Sequence, residues 1–283
     1  MLRIHELKLP LDADMAALQT AVAKLLHLPE KQIAQIKIVK KALDARKKKE
    51  LQFIYTVDVA IAGTEKAILK KTKNKTIILA PKQRYQAPVL QHAPKVPPVV
   101  VGMGPAGFMA ALILAEAGCN PIVVERGQKV EEREQKVIAF WQRGQFDAQS
   151  NVQFGEGGAG TFSDGKLTTN TKDIRHQKVL EELVAAGAPD AILYEAKPHI
   201  GTDILKQMLP KIRRKILALG GNILYATQLT DIFFEQNQQG EKRVVGIVLT
   251  DANGNYQIPV QQVILAIGHS ARDTFTMLHE KNL

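Results

Sequence analysis

Three glycines constrain the fold of this chain more than any other feature. Gly102, Gly104 and Gly107 form the pattern G-x-G-x-x-G between an apolar strand, residues 98–101, and a helical stretch, residues 106–117. In this context the first glycine permits a sharp turn, the second lets a ligand approach the backbone, and the third lets the helix pack closely on the strand. Because a helix N-terminus attracts negative charge, the pattern predicts a turn that binds the pyrophosphate of a dinucleotide.

The residues after this turn extend it to a strand–helix–strand unit. A second strand, residues 121–125, ends on Glu125, which follows Gly102 by 23 residues. This spacing is typical of a parallel, doubly wound sheet in which the carboxylate accepts hydrogen bonds from the adenosine ribose. Such a carboxylate would repel a 2′-phosphate, which argues against NADP at this site.

Three further features favour FAD over NAD. The run 123–127 (VVERG) is followed by a long helix, residues 130–142, as in FAD enzymes of the glutathione reductase type, which it resembles. Residues 155–165 hold five glycines, so their backbone amides can approach a phosphate or a flat ring. Hairpin strands at 230–259 and an apolar strand at 262–267 that leads into Gly268 resemble the meander and late strand of that fold.

The first 84 residues show a different pattern. Residues 1–92 carry 18 Lys and Arg against 8 Asp and Glu, whereas residues 93–283 carry 20 of each sign, so the entire net charge belongs to the first part. The predicted elements have the order βαββαβ of a ferredoxin-like sandwich: strand 2–9, helix 14–26, strands 33–43 and 51–61, a short helix near Glu65 and strand 76–80.

The sequence therefore predicts an α/β chain of two domains. A basic ferredoxin-like α+β domain, residues 1–84, is joined by a proline-rich linker, residues 85–98, to a Rossmann-like FAD-binding domain of parallel sheet and β-meander, residues 99–283. The basic loop at 44–49, together with Phe53 and Tyr55 on one strand, raises the alternative of a nucleic-acid-binding domain. The two aromatic rings share a face with apolar residues of the same strand, which favours core packing.

Several classes of protein are excluded. The single cysteine, Cys119, permits no internal disulfide and no paired-thiol redox chemistry, and the histidines lack the spacing of metal ligands, so no metal site is expected. The most apolar stretch, residues 99–117, is interrupted by glycines and by Glu116, which argues against a membrane span. The start of the chain lacks the order of a secretory signal, and a cytoplasmic location is expected.

Three strings resemble one known family. Residues 150–169 (SNVQFGEGGAGTFSDGKLTT), 197–205 (KPHIGTDIL) and 265–275 (LAIGHSARDTF) resemble the bacterial family of uncharacterised FAD-dependent dehydrogenases, whose members carry a small domain before the flavin domain. The resemblance covers nearly the whole chain and implies FAD binding, with an undefined substrate. Enzymes of this fold continue into a substrate domain, whereas the sequence stops at Leu283. The flavin domain is therefore expected to be incomplete, to bind FAD weakly and to turn over little.

The predicted function is that of an FAD-dependent oxidoreductase acting on a small molecule, with NAD(P)H as a candidate external reductant. The alternatives are a nucleic-acid-binding flavoprotein and an NAD-dependent dehydrogenase. His269, at the end of the late strand, is the candidate proton donor or flavin hydrogen-bond partner. Ser270 and Asp273 are expected to form a capping box, and Thr202 or Asp203 to cap a helix. The predicted cofactor-binding residues are Gly102, Gly104, Pro105, Ala106, Gly107, Glu125, Arg126, Gly157, Gly158, Ala159, Gly160, Thr161, Ser163, Asp164, Gly165, Lys166 and Gly268.

Overall fold

The chain divides into two compact units. A computed structural model describes residues 1–47, 50–72, 74–81, 85–163, 165–167, 169, 171, 173–236 and 238–283. The first unit contains Met1–Tyr85, Lys166–Val184 and Pro189–His199, and the second contains Gln86–Gly165, Ala185–Ala188 and Ile200–Leu283. Two segments that the sequence analysis placed in the second domain are thus part of the first unit.

The helices and strands follow the predicted order. They are β1 (Leu2–Pro10), α1 (Met15–Leu26), β2 (Ile33–Asp44), β3 (Gln52–Ile61), α2 (Glu65–Thr72), β4 (Ile77–Leu79), β5 (Val99–Val101), α3 (Pro105–Glu116), β6 (Ile122–Val124), α4 (Val130–Arg143), α5 (Arg175–Ala185), α6 (Thr202–Ala218), β7 (Asn222–Leu224), β8 (Gln228–Gln236), β9 (Lys242–Asp251), β10 (Gly254–Pro259), β11 (Val263–Leu265) and α7 (Arg272–Glu280). Short 3-10 helices lie at Glu30–Gln32, Ala159–Phe162 and Asp190–Leu193.

The first unit contains an antiparallel sheet in the order β2-β3-β1-β4. With α1 and α2 this is the predicted ferredoxin-like arrangement. Alternate residues of β1, such as Leu2 and Ile4, are fully buried and pack in one apolar cluster with Val57 and Val59 of β3. Tyr55 belongs to the same cluster, which confirms core packing for this ring.

The second unit contains a parallel sheet in the order β11-β5-β6-β7 and an antiparallel meander in the order β10-β9-β8. The fold class predicted from the sequence is confirmed. The three valines of β5 are buried; Val99 and Val101 pack in one cluster with meander residues such as Ile247, while α3 packs against β5 and β6. Because the strands are parallel, the carboxyl ends of β5, β6 and β11 meet at one edge of the sheet, where such folds bind ligands.

No helix among the described residues is both long and apolar enough to cross a membrane.

The core of the first unit provides a stability test. We expect Ile4→Ala to lower the free energy of unfolding by about 2–5 kcal/mol, because it leaves a cavity in place of a fully buried side chain. The measurement is urea denaturation followed by circular dichroism. Lys8→Ala, at an exposed position of the same strand, is the control and should change the value by less than about 0.5 kcal/mol. Equal effects of the two substitutions would contradict the assigned register of β1.

Candidate functional site

The two glycine-rich bends meet in the second unit. A Cβ atom added to Gly158 would lie 3.0 Å from the Cα atom of Gly104, and the amide of Gly157 donates a hydrogen bond of 2.8 Å to the carbonyl of Met103. Gly102 has a φ of +96°, and an added Cβ there would lie 2.4 Å from the carbonyl oxygen of Ala266. The turn after β5 therefore requires glycine, and it lies against the later bend.

Glu125 connects three segments at the end of β6. Its Oε2 accepts a hydrogen bond of 2.6 Å from the amide of Met103, and its Oε1 accepts bonds of 2.8 and 3.0 Å from the amides of Gly127 and Gly155. The carboxylate is buried, with 4% of its surface exposed. A carboxylate that accepts backbone amides in this way fixes the geometry of every turn that donates to it.

Arg133 stabilises the loop that leads into the second glycine-rich bend, residues 155–158. Its side chain is fully buried on α4, and its guanidinium donates to the carbonyls of Asn151, Val152 and Glu156 at 2.7–2.9 Å. Burial lowers the pKa of Arg133 to about 10, although the charges of Glu125 and Glu156 act in the opposite direction. The side chain therefore remains a cation at neutral pH and orders the loop that leads into the glycines.

Glu156 ties this loop to more distant elements. Its carboxylate accepts hydrogen bonds from the amide of Val130 at 2.8 Å, from the hydroxyl of Tyr225 at 2.8 Å and from the guanidinium of Arg213 at 2.9 Å. Burial raises the pKa of Glu156, and these three donors oppose the rise. Burial, and after it the charge of Glu156, also raises the pKa of Tyr225, so the phenol stays protonated and acts as a donor.

A cleft of about 470 Å³ opens where these turns meet. Its volume lies in the range of roughly 300–1,000 Å³ that is usual for small-molecule sites. Nine of the predicted site residues line it: Gly102, Gly104, Pro105, Ala106, Glu125, Gly158, Ala159, Gly268 and His269. The N-terminus of α3 borders the cleft, and the apolar part of the wall includes Phe154, Leu265 and Phe275.

Other predicted site residues lie elsewhere for identifiable reasons. An added Cβ on Gly107 would lie 1.8 Å from the carbonyl oxygen of Gly102, and one on Gly165 would lie 1.5 Å from that of Ile200, so both glycines serve close backbone packing. Lys166 belongs to the first unit, where its backbone bridges that of His199. The cleft wall also omits Gly157, Gly160, Thr161 and Ser163. Asp164 lies outside the described residues.

Arg126 is engaged by the last helix. Its guanidinium bonds Asp273 at 2.9 and 3.0 Å and Thr274 Oγ1 at 3.0 Å, and it lies 4.4 Å from the ring centroid of Phe154. It faces a small cavity beside the cleft rather than the cleft itself. The capping-box prediction is wrong because α7 begins after Ala271 without a side-chain cap, and Asp273 pairs with Arg126 instead.

The prediction of a cap at α6 is also wrong. The residue that precedes this helix is Gly201, and no side chain caps the helix start. Thr202 and Asp203 lie in the first turn, where the carboxylate of Asp203 is compatible with the positive end of the helix dipole.

Sequence reasoning missed the polar residues that support the cleft. Arg133 lies on α4 and Arg213 on α6, whereas Glu156 lies in a loop and Tyr225 directly follows β7. None of the four belongs to a motif with diagnostic spacing. Glu156 alone carried a signal, since it interrupts the run of glycines at 155–158. Among the described residues no group of three His, Cys, Asp or Glu side chains lies together as metal ligands would.

Two family models match parts of the chain. Residues 1–60 match a domain of unknown function, DUF8436, and residues 95–138 match a model described as an FAD binding domain. The second match spans β5, α3 and β6 with most of α4, so it contains both the glycine turn and Glu125. The second unit thus has a Rossmann-like parallel sheet whose first strand–helix–strand segment is similar to an FAD binding domain.

The chain is also similar to one curated protein and, more distantly, to solved structures. The chain is 41% identical over 283 residues to an uncharacterized protein of Clostridium beijerinckii and spans 51% of that protein's length. The structure of THI4 from Thermovibrio ammonificans has 17% identity and a TM-score of 0.44, covering 66% of this chain and 63% of that one. A flavoprotein/dehydrogenase from Cytophaga hutchinsonii has 16% identity and a TM-score of 0.39, with coverages of 65% and 42%.

The buried guanidinium gives the first test of the site. We expect Arg133→Met to lower the free energy of unfolding by about 3–5 kcal/mol, because it leaves buried backbone carbonyls without their donor and removes the positive charge that balances Glu125 and Glu156. Arg133→Lys should rescue only part of this loss, since one ammonium group cannot reach every carbonyl. Urea denaturation is the measurement. The control, Lys136→Met, removes an exposed pair with Asp147 and should cost about 0–1 kcal/mol. A loss of that size for Arg133→Met would contradict the assigned role.

The pair of Arg126 and Asp273 predicts a pH dependence. Burial would raise the pKa of Asp273, but hydrogen bonds from Arg126, from its own helix and from Gln228 lower it overall. A carboxyl with a lowered pKa in the folded state stabilises the fold above the unfolded value of about 3.9 and loses this contribution as the pH falls through the folded value. We expect Asp273→Asn to reduce the shift in urea midpoint between about pH 5 and about pH 3. An unchanged shift would refute the pairing.

Proposed function

We propose that the second unit holds FAD non-covalently in its cleft and forms the cofactor-binding part of a flavin-dependent oxidoreductase. One observation carries the proposal: the bends at Gly104 and Gly158 converge on a single cleft beside the N-terminus of α3. The match of residues 95–138 to an FAD binding domain supports the choice of cofactor.

The residues present fit a dinucleotide. A Cβ atom on Gly104 would lie 3.8 Å from the Cα atom of Gly158, an ordinary contact, so the fold does not require glycine there on steric grounds. The absence of a side chain at this position instead leaves room for a pyrophosphate close to the amides that open α3. Gly104, Ala106 and Gly158 are the residues that would hold it.

Glu125 retains capacity for a ribose hydroxyl. A carboxylate offers roughly four lone-pair sites, and three are taken by backbone amides. Glu125 also lines the cleft, so the remaining site suits one hydroxyl donor. The hydrogen bond to the adenosine ribose stays a prediction, made by a side chain that the protein has already oriented.

His269 is the residue of the cleft best suited to proton transfer. It follows β11 and Gly268, and Ser270 Oγ lies 3.3 Å from its Nε2 atom. The bound flavin would supply the electron chemistry of the reaction. The imidazole, which is exposed in the cleft wall after β11, would donate or accept a proton at Nε2 toward the reacting molecule.

The substrate proposal is limited to a small molecule. The strings at 150–169, 197–205 and 265–275 resemble the uncharacterised FAD-dependent dehydrogenases, and we propose membership of that group on this basis. NAD(P)H is the proposed external reductant. The chain spans about half of its curated relative, so the activity of the longer protein is part of the proposal.

The cofactor test compares dinucleotides directly. Thermal unfolding of the 283-residue chain is measured with FAD, NAD and NADP, each in excess. FAD at about 100 times its Kd should stabilise the second unit by about 2.7 kcal/mol, because it binds only the folded state. Stabilisation by NAD alone would favour the NAD-dependent dehydrogenase, and no shift with any of the three would overturn the proposal.

Gly104→Ala separates binding from folding. The added methyl group meets only an ordinary contact in the protein but occupies the space proposed for the pyrophosphate. We expect the Kd for FAD, measured by flavin fluorescence, to rise at least about tenfold while the melting temperature of the free protein stays unchanged. Gly160→Ala is the matched control, because a Cβ there meets nothing within 4 Å and the residue does not line the cleft. Equal FAD affinity of the two variants would contradict the placement.

A further inference from the structure

A second cleft, of about 750 Å³, lies entirely within the first unit. It runs beside β2, which is one of the two edge strands of the antiparallel sheet. One wall is formed by four consecutive β2 residues, 36–39. The facing wall comes from α5 and the segment after it, and includes Gln177, Glu181, Asp190, Leu193 and Tyr194.

The edge of β2 already pairs with a short segment of the chain near this cleft, through an isolated bridge between Lys41 and Glu195. The amide of Lys41 donates to the carbonyl of Tyr194 at 2.7 Å, and the amide of Ala196 donates to the carbonyl of Lys41 at 3.0 Å. This pairing is local, because the residues just before Tyr194 form the 3-10 helix Asp190–Leu193 rather than a strand. Residues 36–38 pair with β3 on their inner side, and on the outer side of residues 36–39 the described part of the chain places the cleft rather than another strand. The N–H and C=O groups of such an edge pair with extended peptides.

Charges alternate across one face of the sheet toward this edge. Asp58 is the direct cross-strand partner of both Arg3 and Lys37. The guanidinium of Arg3 makes two bonds to Asp58, of 2.7 and 2.8 Å, whereas Lys37 is exposed at the edge. In the described part of the chain, no carboxylate forms an ion pair with Lys37. Opposite charges on directly facing residues stabilise strand pairs. On a strand added beside β2, the residue opposite Lys37 would therefore be most stable with an acidic side chain.

The other face of the same edge is apolar. Ile36 and Ile38 flank Lys37 and pack against the core of the first unit, and Met15 of α1 lines the cleft near them. Successive side chains of a strand point to opposite faces. A strand added here would therefore place apolar residues on both sides of its acidic residue.

We propose that the first unit binds an extended peptide by strand addition to residues 36–39 of β2, with an apolar–acidic–apolar pattern opposite Ile36, Lys37 and Ile38. Lysines on an edge strand also discourage pairing between copies of a protein, but here a second wall lies opposite the strand, so the edge forms one side of an open groove. A nucleic acid fits this groove poorly, because every nucleotide carries a phosphate, whereas Lys37 is the one cation of the described lining that has no carboxylate partner. The proposal is independent of FAD binding.

The test selects a phage-displayed library of random decapeptides on the immobilised 283-residue chain. We expect enriched peptides to carry the apolar–acidic–apolar pattern. Lys37→Glu should raise their Kd about tenfold, and exchanging the acidic residue of the peptide for lysine should restore binding to this variant. Lys75→Glu changes the net charge equally at an exposed position outside the cleft and should leave the Kd within about twofold.

Three results would overturn the inference. The first is an absence of enrichment over the bare support, and the second is equal binding of the enriched peptides to the wild type and to Lys37→Glu. The third is displacement of the peptides by a single-stranded oligonucleotide, which would assign the groove to nucleic acid. Circular dichroism melting of each variant shows whether the first unit remains folded, and a melting temperature unchanged by Lys37→Glu attributes lost binding to the edge itself.

Discussion

The geometry of the cleft depends on the hydrogen bonds that the buried guanidinium of Arg133 donates to backbone carbonyls. A buried cation is costly unless hydrogen bonds replace its water, and here backbone carbonyls of residues 151–156 supply that replacement. The same bonds order a loop that has no helix or strand of its own before Ala159. Gly155 is required for this arrangement, since an added Cβ would lie 2.4 Å from the Arg133 side chain. The position of Gly158 in the cleft wall thus depends on the contact between Gly155 and Arg133, three residues earlier in the same loop.

Glu125 and Arg133 act on the same loop with opposite charge. The carboxylate of Glu125 accepts a hydrogen bond from the amide of Gly155, while the guanidinium of Arg133 donates to carbonyls on either side of that residue. Because the backbone is held by both its donors and its acceptors, the bend is organised before any ligand arrives. Binding then costs little ordering of the loop, which is the usual advantage of a preorganised site.

The sequence predicted those features that depend on local pattern. Gly102 needs a positive φ and Gly107 needs close packing, and both demands appear as glycine at fixed spacing. Strands β1 and β5 were predictable, because the alternation of Leu2 and Ile4 with polar residues in β1, and the unbroken apolar run of β5, reflect burial directly. The ferredoxin-like order and the parallel sheet follow from these elements.

Long-range polar contacts were not predictable in the same way. Asp273 sits where a capping residue is expected, yet Arg126, distant in sequence, offers a charged partner that is stronger than the helix amides. Arg133 looks like one of many charged residues on an amphipathic helix, and only the fold reveals that it points inward. The pairing of Lys41 with residues 194–196 is equally invisible, because neither segment has an unusual composition.

The two units are interleaved along the chain, and this has a consequence for biosynthesis. The last segment of the first unit, Pro189–His199, leaves the ribosome more than a hundred residues after Tyr85. Translation proceeds at about 5–20 residues per second. Roughly ten seconds therefore pass between the synthesis of the N-terminal sheet and that of residues 194–196, which pair with the edge of β2. During that interval the nascent chain exposes an unpaired strand edge, which is the kind of surface that makes folding intermediates prone to aggregate.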